Sequence, residues 1–309
     1  MYDNLDLTIN TDNCPNKDFI QETPQHLTRV TNEGSNHFGE YITGYLNNLK
    51  ISITENRVKV FDSSLCKYYL GDNFKTLSKG DTRRAIELIS DKLHLPFEKA
   101  NVTRIDAAQN LIMKYNQKHY YSYLGEAQYY NRLEQNNGLY YQNQKRQLVF
   151  YGKLYEQKIK GQPIPELYNA RNVLRYEMRF RKKLRQQFNK PAITAALLYD
   201  EDFYNEIVKR WKNEYLNIQK INSKLATMTP TGSTKELAQI LALYGILELG
   251  QPNVLQKIKE WQESGEITKK QALDLRRFVM KVSKNPDKGK QNDLIKELNQ
   301  KVKEAARFG

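Results

Sequence analysis

Residues 173–181 read VLRYEMRFR, and this alternation decides how the chain is read. A strand sends successive side chains to opposite faces. Leu174, Tyr176, Met178 and Phe180 therefore make one apolar face, and Arg175, Glu177 and Arg179 make the other. The same parity runs through NVTRIDA at 101–107, where Arg104 and Asp106 share a face. It runs again through QLVFYGKLYE at 147–156, where Val149, Tyr151 and Lys153 do. Helices covering the apolar faces would leave Arg104, Asp106, Tyr151, Lys153, Arg175, Glu177 and Arg179 on one common surface.

Outward from these strands, the pattern predicts an α+β fold. Asn4–Ile9 alternates as a half-buried strand, and Thr11–Asn36 reads as a long loop. Phe38–Leu46, Leu49–Ile53 and Arg57–Phe61 read as strands, the last two as a hairpin around Thr54-Glu55-Asn56. Phe61–Asn73 is loop-like. Asp81–Leu93 is an amphipathic helix capped by Asp81, and NVTRIDA returns to strand. A second round follows. Lys118–Leu124 is short and tyrosine-rich, Leu139–Gln142 and Gln147–Leu154 form a hairpin, Pro165–Arg171 is a short helix, and Val173–Arg181 is a strand. The expectation is an antiparallel sheet built from two ββαβ-like halves with helices on one face. An all-α C-terminal region follows it.

The domain reading is a catalytic domain at 1–190, a helical extension at 191–228 and a small α-helical domain at 229–309. Thr229–Ser233 reads as a linker, and helices are expected at Thr234–Leu249, Pro252–Ser264, Thr268–Val282 and Asn292–Arg307, with a break at 285–289. WQESGEITKKQALDLRRF, within Pro252–Val282, has a glycine-containing turn and a basic second helix, a helix–turn–helix reading suited to DNA recognition or partner binding.

The chain of 309 residues carries 49 Lys+Arg against 35 Asp+Glu, a formal charge of +14 that suits a polyanionic partner. Cys14 and Cys66 lie far apart, which argues against a disulfide framework or a zinc site. The first residues, MYDNLDLTIN, lack the pattern of a signal peptide. No apolar run approaches the roughly 20 residues of a membrane span. The expectation is a cytoplasmic protein without membrane contact.

The polar surface has a chemical logic. Asp106 and Glu177, from separate strands, offer oxygen ligands to Mg²⁺ or Mn²⁺. Such an ion would polarise a phosphodiester while the guanidiniums clamp its oxygens. Tyr151 would be the nucleophile, with the Lys153 ammonium beside it. The competing reading is a solvated face of cross-strand ion pairs. Tyr155 and Glu156 stand close by, with Glu156 a further metal-ligand or supporting candidate; on a helix Tyr151 and Tyr155 would share a face, opening a two-tyrosine mechanism. The basic run Arg179, Arg181, Lys182, Lys183 and Arg185 suits a DNA backbone, with Lys67 a weaker candidate. The tyrosines from Tyr115 to Tyr141 read either as core packing or as a stacking platform.

These segments resemble the replication initiation proteins of filamentous phages and related plasmids, the gene-II/X family of rolling-circle initiators. The resemblance is carried by SSLCKYYLGDN (63–73), ISDKLHLPFEKANVTRIDAAQN (89–110), RQLVFYGKLYEQK (146–158) and NVLRYEMRFRKKL (172–184), with MYDNLDL as the opening strand. It implies nicking and joining of origin DNA, a 5′-phosphotyrosine intermediate, a divalent metal, and a free 3′-OH that primes a polymerase of the bacterial host. By motif match the nucleophile falls on Tyr151, with Lys153 beside it. The family's Arg-Ile-Asp falls on Arg104-Ile105-Asp106 and its Arg-x-Glu on Arg175-Tyr176-Glu177. The opening-strand acid falls on Asp3, with Asp6 the competitor by parity. His26, His37, His94 and His119 do not form the His-hydrophobe-His motif by which many such initiators hold metal. The C-terminal helices lie outside the resemblance and would serve duplex recognition, a host helicase or self-association.

Overall fold

A computed structural model describes residues 1–221, 233–283 and 293–308. The expected linker, except Ser233, the end of the expected helical extension and the break at 285–289 lie outside the described residues. Strands β1 (Tyr2–Asn10), β2 (Arg29–Asn36), β3 (Gly39–Leu46), β4 (Leu49–Thr54), β5 (Arg57–Phe61), β6 (Asn101–Met113), β7 (Asn131–Gln135), β8 (Gly138–Gln142), β9 (Arg146–Gly152) and β10 (Asn172–Phe180) form one sheet in the order β2-β3-β4-β5-β1-β6-β10-β9-β8-β7. Every neighbouring pair is antiparallel. The helices of the same part are α1 (Phe19–Glu22), α2 (Leu65–Leu70), α3 (Lys79–Leu93), α4 (Lys118–Tyr121), α5 (Lys153–Ile159), α6 (Leu184–Gln187) and α7 (Glu201–Asn217). Further on come α8 (Thr234–Leu249), α9 (Gln251–Glu263), α10 (Lys269–Ser283) and α11 (Asp293–Phe308).

The two strand–strand–helix–strand runs are β4-β5-α3-β6 and β8-β9-α5-β10, and they meet where β6 lies beside β10. They are not equivalent, because β1 inserts between β5 and β6 whereas β9 pairs directly with β10. The insertion involves a bulge. Tyr2 faces Ala107 and Leu5 faces Ile105, so β1 carries one residue more than β6 over that span. Tyr2 and Leu5 thereby both reach the core, and Asp3 is free to meet Arg175.

The apolar face of β10 packs as its parity predicts. The Phe150 and Tyr176 rings stack at 4.5 Å and 6°, and the Trp211 ring of α7 lies 4.8 Å from Tyr176. Tyr176 Oη donates to the Trp211 carbonyl at 3.0 Å, which satisfies its buried hydroxyl. Asp200 caps α7 by accepting from Phe203 N, and Phe203, Ile207, Trp211 and Tyr215 recur every four residues as its buried stripe.

Several local expectations shift. Ser78 caps α3, and Asp81 is its partner in a capping box. The stretch read as a long loop at 11–36 contains α1 and β2, the piece at 61–73 contains α2, and Lys118–Tyr121 is helical. Strand β9 ends at Gly152, two residues earlier than expected, and Lys153 opens α5.

The chain divides into two compact units, and the helices expected as one block at 229–309 are divided between them. Helices α8, α9 and α10 form their own small core from Ile246, Ile258, Ala272 and Val279. Helix α11 belongs to the sheet unit, where Ile295, Leu298 and Val302 are buried. There Glu297 accepts from Tyr120 Oη at 2.6 Å and Asn299 from Tyr215 Oη at 2.7 Å.

Trp211→Ala should cost about 3–5 kcal/mol, because the rigid sheet cannot collapse into the space left behind. A chemical denaturation series measures it, with a loss under about 1 kcal/mol counting against this packing.

Candidate active site

The opposite face of the same strands carries a ladder of alternating charge. Register sets Asp106 opposite Arg179, Asn110 opposite Arg175, and Arg175 opposite Tyr151. Arg104 grips Asp106 with two hydrogen bonds, of 3.0 and 2.7 Å, and reaches Asp62 at 2.9 Å. Arg179 holds Glu177 at 2.6 Å and lies 3.9 Å from Asp106. Arg175 donates to Glu177 at 2.7 Å and pairs with Asp3, whose other oxygen accepts from Ser64 Oγ at 2.6 Å. Its remaining nitrogen donates to the Asn73 carbonyl and Asn110 Oδ1, both at 3.0 Å.

This face is buried as well. Arg175 is 1% exposed, Asp106 1% and Glu177 3%. The segment after α2 closes over it through Asn73 and Phe74, whose carbonyls accept from Asn110 Nδ2. Burial opposes ionisation of Glu177, yet the Arg175 and Arg179 guanidiniums and the Tyr151 hydroxyl hold its carboxyl well below the usual range. For Asp106 burial prevails over the Arg104 contact, and its pKa rises to about 6.

Tyr151 Oη donates to Glu177 Oε1 at 2.7 Å. Burial pushes this phenol well above its ordinary value, against the pull of Arg175. A cavity of about 310 Å³ opens onto Tyr151 and is bordered by Arg179, Lys160, Tyr140, Tyr155 and Glu156. The site therefore has one phenol aligned on a carboxylate and two cations facing the same space.

Of the residues expected to converge, Arg104, Asp106, Arg175, Glu177, Arg179 and Tyr151 do share one face. Lys153 does not follow strand parity, because the chain has already turned into α5. It is fully buried, 2.7 Å from Glu156, with its ammonium 5.6 Å from the Phe74 ring. Burial and the nearby Arg175 lower its pKa to about 8, against the effect of Glu156. It supports Glu156 from beneath and does not border the cavity. Asp6 stands at the far end of the ladder, opposite Arg104 in register, where it accepts from Asp62 N at 3.2 Å and meets Lys59 at 3.3 Å. Asn110, Asn73 and Ser64 join the site without a sequence signal strong enough to single them out. Asn110 does continue the parity of Arg104 and Asp106, in a strand that runs six residues past Ala107 to Met113.

The carboxylates expected to hold Mg²⁺ or Mn²⁺ do not fit a metal as arranged. Asp3, Asp106 and Glu177 each bond an arginine, and Glu156 is taken by Lys153 and Lys160. Among the described residues no three His, Cys, Asp or Glu side chains converge as a metal-binding group.

Beyond the ladder, Arg181, Lys182, Lys183 and Arg185 are placed at the end of β10, where Arg181, Lys182, Lys183 and Arg185 do not share its burial: Arg181, Lys182 and Lys183 are exposed, as is Arg185. Lys183, Arg185 and Lys190 border a second cavity of about 830 Å³ beside Thr103. Lys67 stands elsewhere, bonded to Gln162. No helix of the described residues is long and apolar enough to cross a membrane.

These features define an antiparallel-sheet protein with exposed basic residues after β10 and a phenol that shares its cavity with two cations. Comparison with protein families makes the class specific. The chain belongs to the phage CRI family, described as the N-terminal part of a replication-associated protein, whose profile matches residues 1–214. The match takes in all ten strands and most of α7, which bears out the resemblance seen in the sequence. A search of curated proteins finds no match to the chain.

Arg175→Met should cost about 3–5 kcal/mol at neutral pH, because it leaves Asp3 and Glu177 buried without their shared cation. Folding lowers the Glu177 pKa in the intact protein, so that stabilisation is full above the ordinary glutamate range. It is lost as pH falls through that range towards the folded value. In the variant Glu177 keeps Arg179 but loses the stronger pull of Arg175, so its carboxyl takes up a proton at higher pH than in the intact protein, and the cost should shrink between about pH 7 and pH 5. Urea titrations at the two pH values read this difference. A cost unchanged by pH would contradict the ion-pair assignment.

Proposed function

We propose that this replication-associated protein initiates rolling-circle replication by nicking and rejoining one strand at an origin, with Tyr151 as nucleophile. The observation that carries this reading is the cavity shared by Tyr151 and Arg179, in a protein whose family acts in replication. In the reaction the Tyr151 oxygen bonds to phosphorus as the bond from phosphorus to the 3′ oxygen breaks. The phenol proton passes to Glu177, which already accepts it at 2.7 Å, and ends on the departing 3′ oxygen. The products are a 5′-phosphotyrosine and a free 3′-OH, with no further reactant consumed. Arg179 and Lys160 face the developing charge, and Arg175 holds Glu177 ionised and in place.

The exposed Arg181, Lys182, Lys183 and Arg185 support contact with the DNA backbone at the end of β10 away from α5. The 3′-OH would prime a host polymerase, and a host helicase would open the duplex ahead of it. The resemblance also implies Mg²⁺ or Mn²⁺. For that, a carboxylate such as Asp106 would first have to leave its arginine, and no step above is routed through an ion. Nicking assayed with Mg²⁺, with Mn²⁺ and with EDTA reports the dependence directly.

The competing reading is a non-catalytic binding protein of a mobile element. The paired state of every ladder carboxylate favours it; the phenol and cations facing one cavity favour the reaction. Wild-type protein incubated with supercoiled DNA carrying its origin should relax the DNA and remain attached under denaturing conditions. Tyr151→Phe should form no adduct yet still bind the DNA. Undiminished adduct in Tyr151→Phe would remove Tyr151 from the reaction, and binding without any adduct from wild type would favour the non-catalytic reading.

A further inference from the structure

A third cavity, of about 970 Å³, lies on the other side of α5 from the ladder and shares Gly152, Tyr155 and Asn137 with the Tyr151 cavity. Its wall has an unusual chemistry. Six carboxamides border it: Asn116, Gln117, Asn136, Asn137, Asn169 and Asn172. Lys118, Lys158 and Arg171 add positive charge, and no carboxylate of the described residues lines it. Asn116 and Asn172 are engaged with the backbone at Lys118 N and the Lys114 carbonyl. The side-chain amides of Gln117, Asn136 and Asn169 make no hydrogen bond to other described residues.

We infer that this cavity binds an unpaired nucleotide of the nicked strand next to the scissile phosphate, with Gln117 and Asn169 reading its base edge and Tyr155 stacking on it. A carboxamide presents a donor and an acceptor together, the pattern that matches the edge of a base. Single strands are recognised by splaying such a base onto an aromatic ring and bonding its edge. Tyr155 suits the stacking role: its side chain is 54% exposed, and it borders both cavities. Cations without carboxylates suit the adjoining phosphates.

Gly152 ties this cavity to the nucleophile. A Cβ there would lie 2.5 Å from Gln117 Nε2, so the absence of a side chain lets the amide rest against the residue that follows Tyr151. Gly152 turns to the face of β9 opposite the phenol, and the two cavities meet around the strand end at Gly152, Tyr155 and Asn137. The inference rests on the nicking reading for the identity of the strand. The base-recognition chemistry itself does not depend on bond cleavage.

The test uses the full chain carrying Tyr151→Phe, so that binding is measured without strand breaks. The probe is a fluorescently labelled short single-stranded oligonucleotide pool of mixed sequence, compared by anisotropy with a duplex of the same length. Adding Tyr155→Ala should weaken single-strand binding roughly tenfold, the loss of one stacked base, and leave duplex binding and the melting temperature unchanged. Selection from the pool should enrich one base at one position with the parent, and Gln117→Ala/Asn169→Ala should flatten that preference. Equal loss for single strand and duplex, or no loss at all, would overturn the inference, as would displacement of the oligonucleotide by free mononucleotides at comparable concentration. If wild type forms no adduct while the Tyr155→Ala loss persists, the reaction fails and the pocket stands. If wild type forms the adduct while binding and selection are unaltered by these substitutions, the pocket fails and the reaction stands.

Discussion

One buried guanidinium joins the site. Arg175 meets Asp3 from β1, Glu177 from its own strand, Asn110 from β6 and the backbone at Asn73. Taking such an ion out of water costs several kcal/mol, and only this full set of partners offsets it. Its dependants follow in sequence. Glu177 stays ionised because Arg175 and Arg179 face it, and Tyr151 is oriented because Glu177 accepts its proton. The phenol that borders the cavity is thus aimed from below by a cation that never reaches the cavity itself.

The sheet is consequently buried on both sides by different means. On one side Phe150, Tyr176 and Trp211 pack as an aromatic stack. On the other, carboxylates and guanidiniums alternate under Asn73, Phe74 and α5. A buried ion pair is a weak source of stability, but a slip of one residue would turn these charges onto the aromatic side. The ladder thereby penalises any other register of β6 or β9 against β10, and the β9–β10 register is what sets Tyr151 and Arg179 before one cavity.

Much of this is legible in the sequence, for a simple reason. Parity in a strand is a geometric rule, so VLRYEMRFR and NVTRIDA assign Arg175, Glu177, Arg179, Arg104 and Asp106 to one face without knowledge of their neighbours. The rule fails where its premise ends. Parity carries Lys153 along the strand face although the chain turns helical after Gly152, and a glycine before KLYEQKI is the available signal for that switch. Burial of the polar face is not legible, because the six-residue helix α2 and the segment after it carry no strong periodicity. Nor is the docking of α11: amphipathicity says that a helix will bury one face, not which surface will cover it. Of the acid–arginine pairs only Asp3–Arg175 is a matter of tertiary distance; Arg104–Asp106 and Arg175–Glu177–Arg179 lie two residues apart on one strand face, where the sequence suits an ion pair and a metal equally well.

The most direct measurement is the mapping of the protein–DNA linkage. Wild-type protein is reacted with its origin strand, digested with nuclease and protease, and the nucleotide-bearing peptide is fragmented in a mass spectrometer. The expected product is a nucleotide attached through its 5′ phosphate to Tyr151, in the peptide spanning residues 148–156. Attachment at Tyr155 or at a residue outside the cavity would contradict the assignment of Tyr151 as nucleophile.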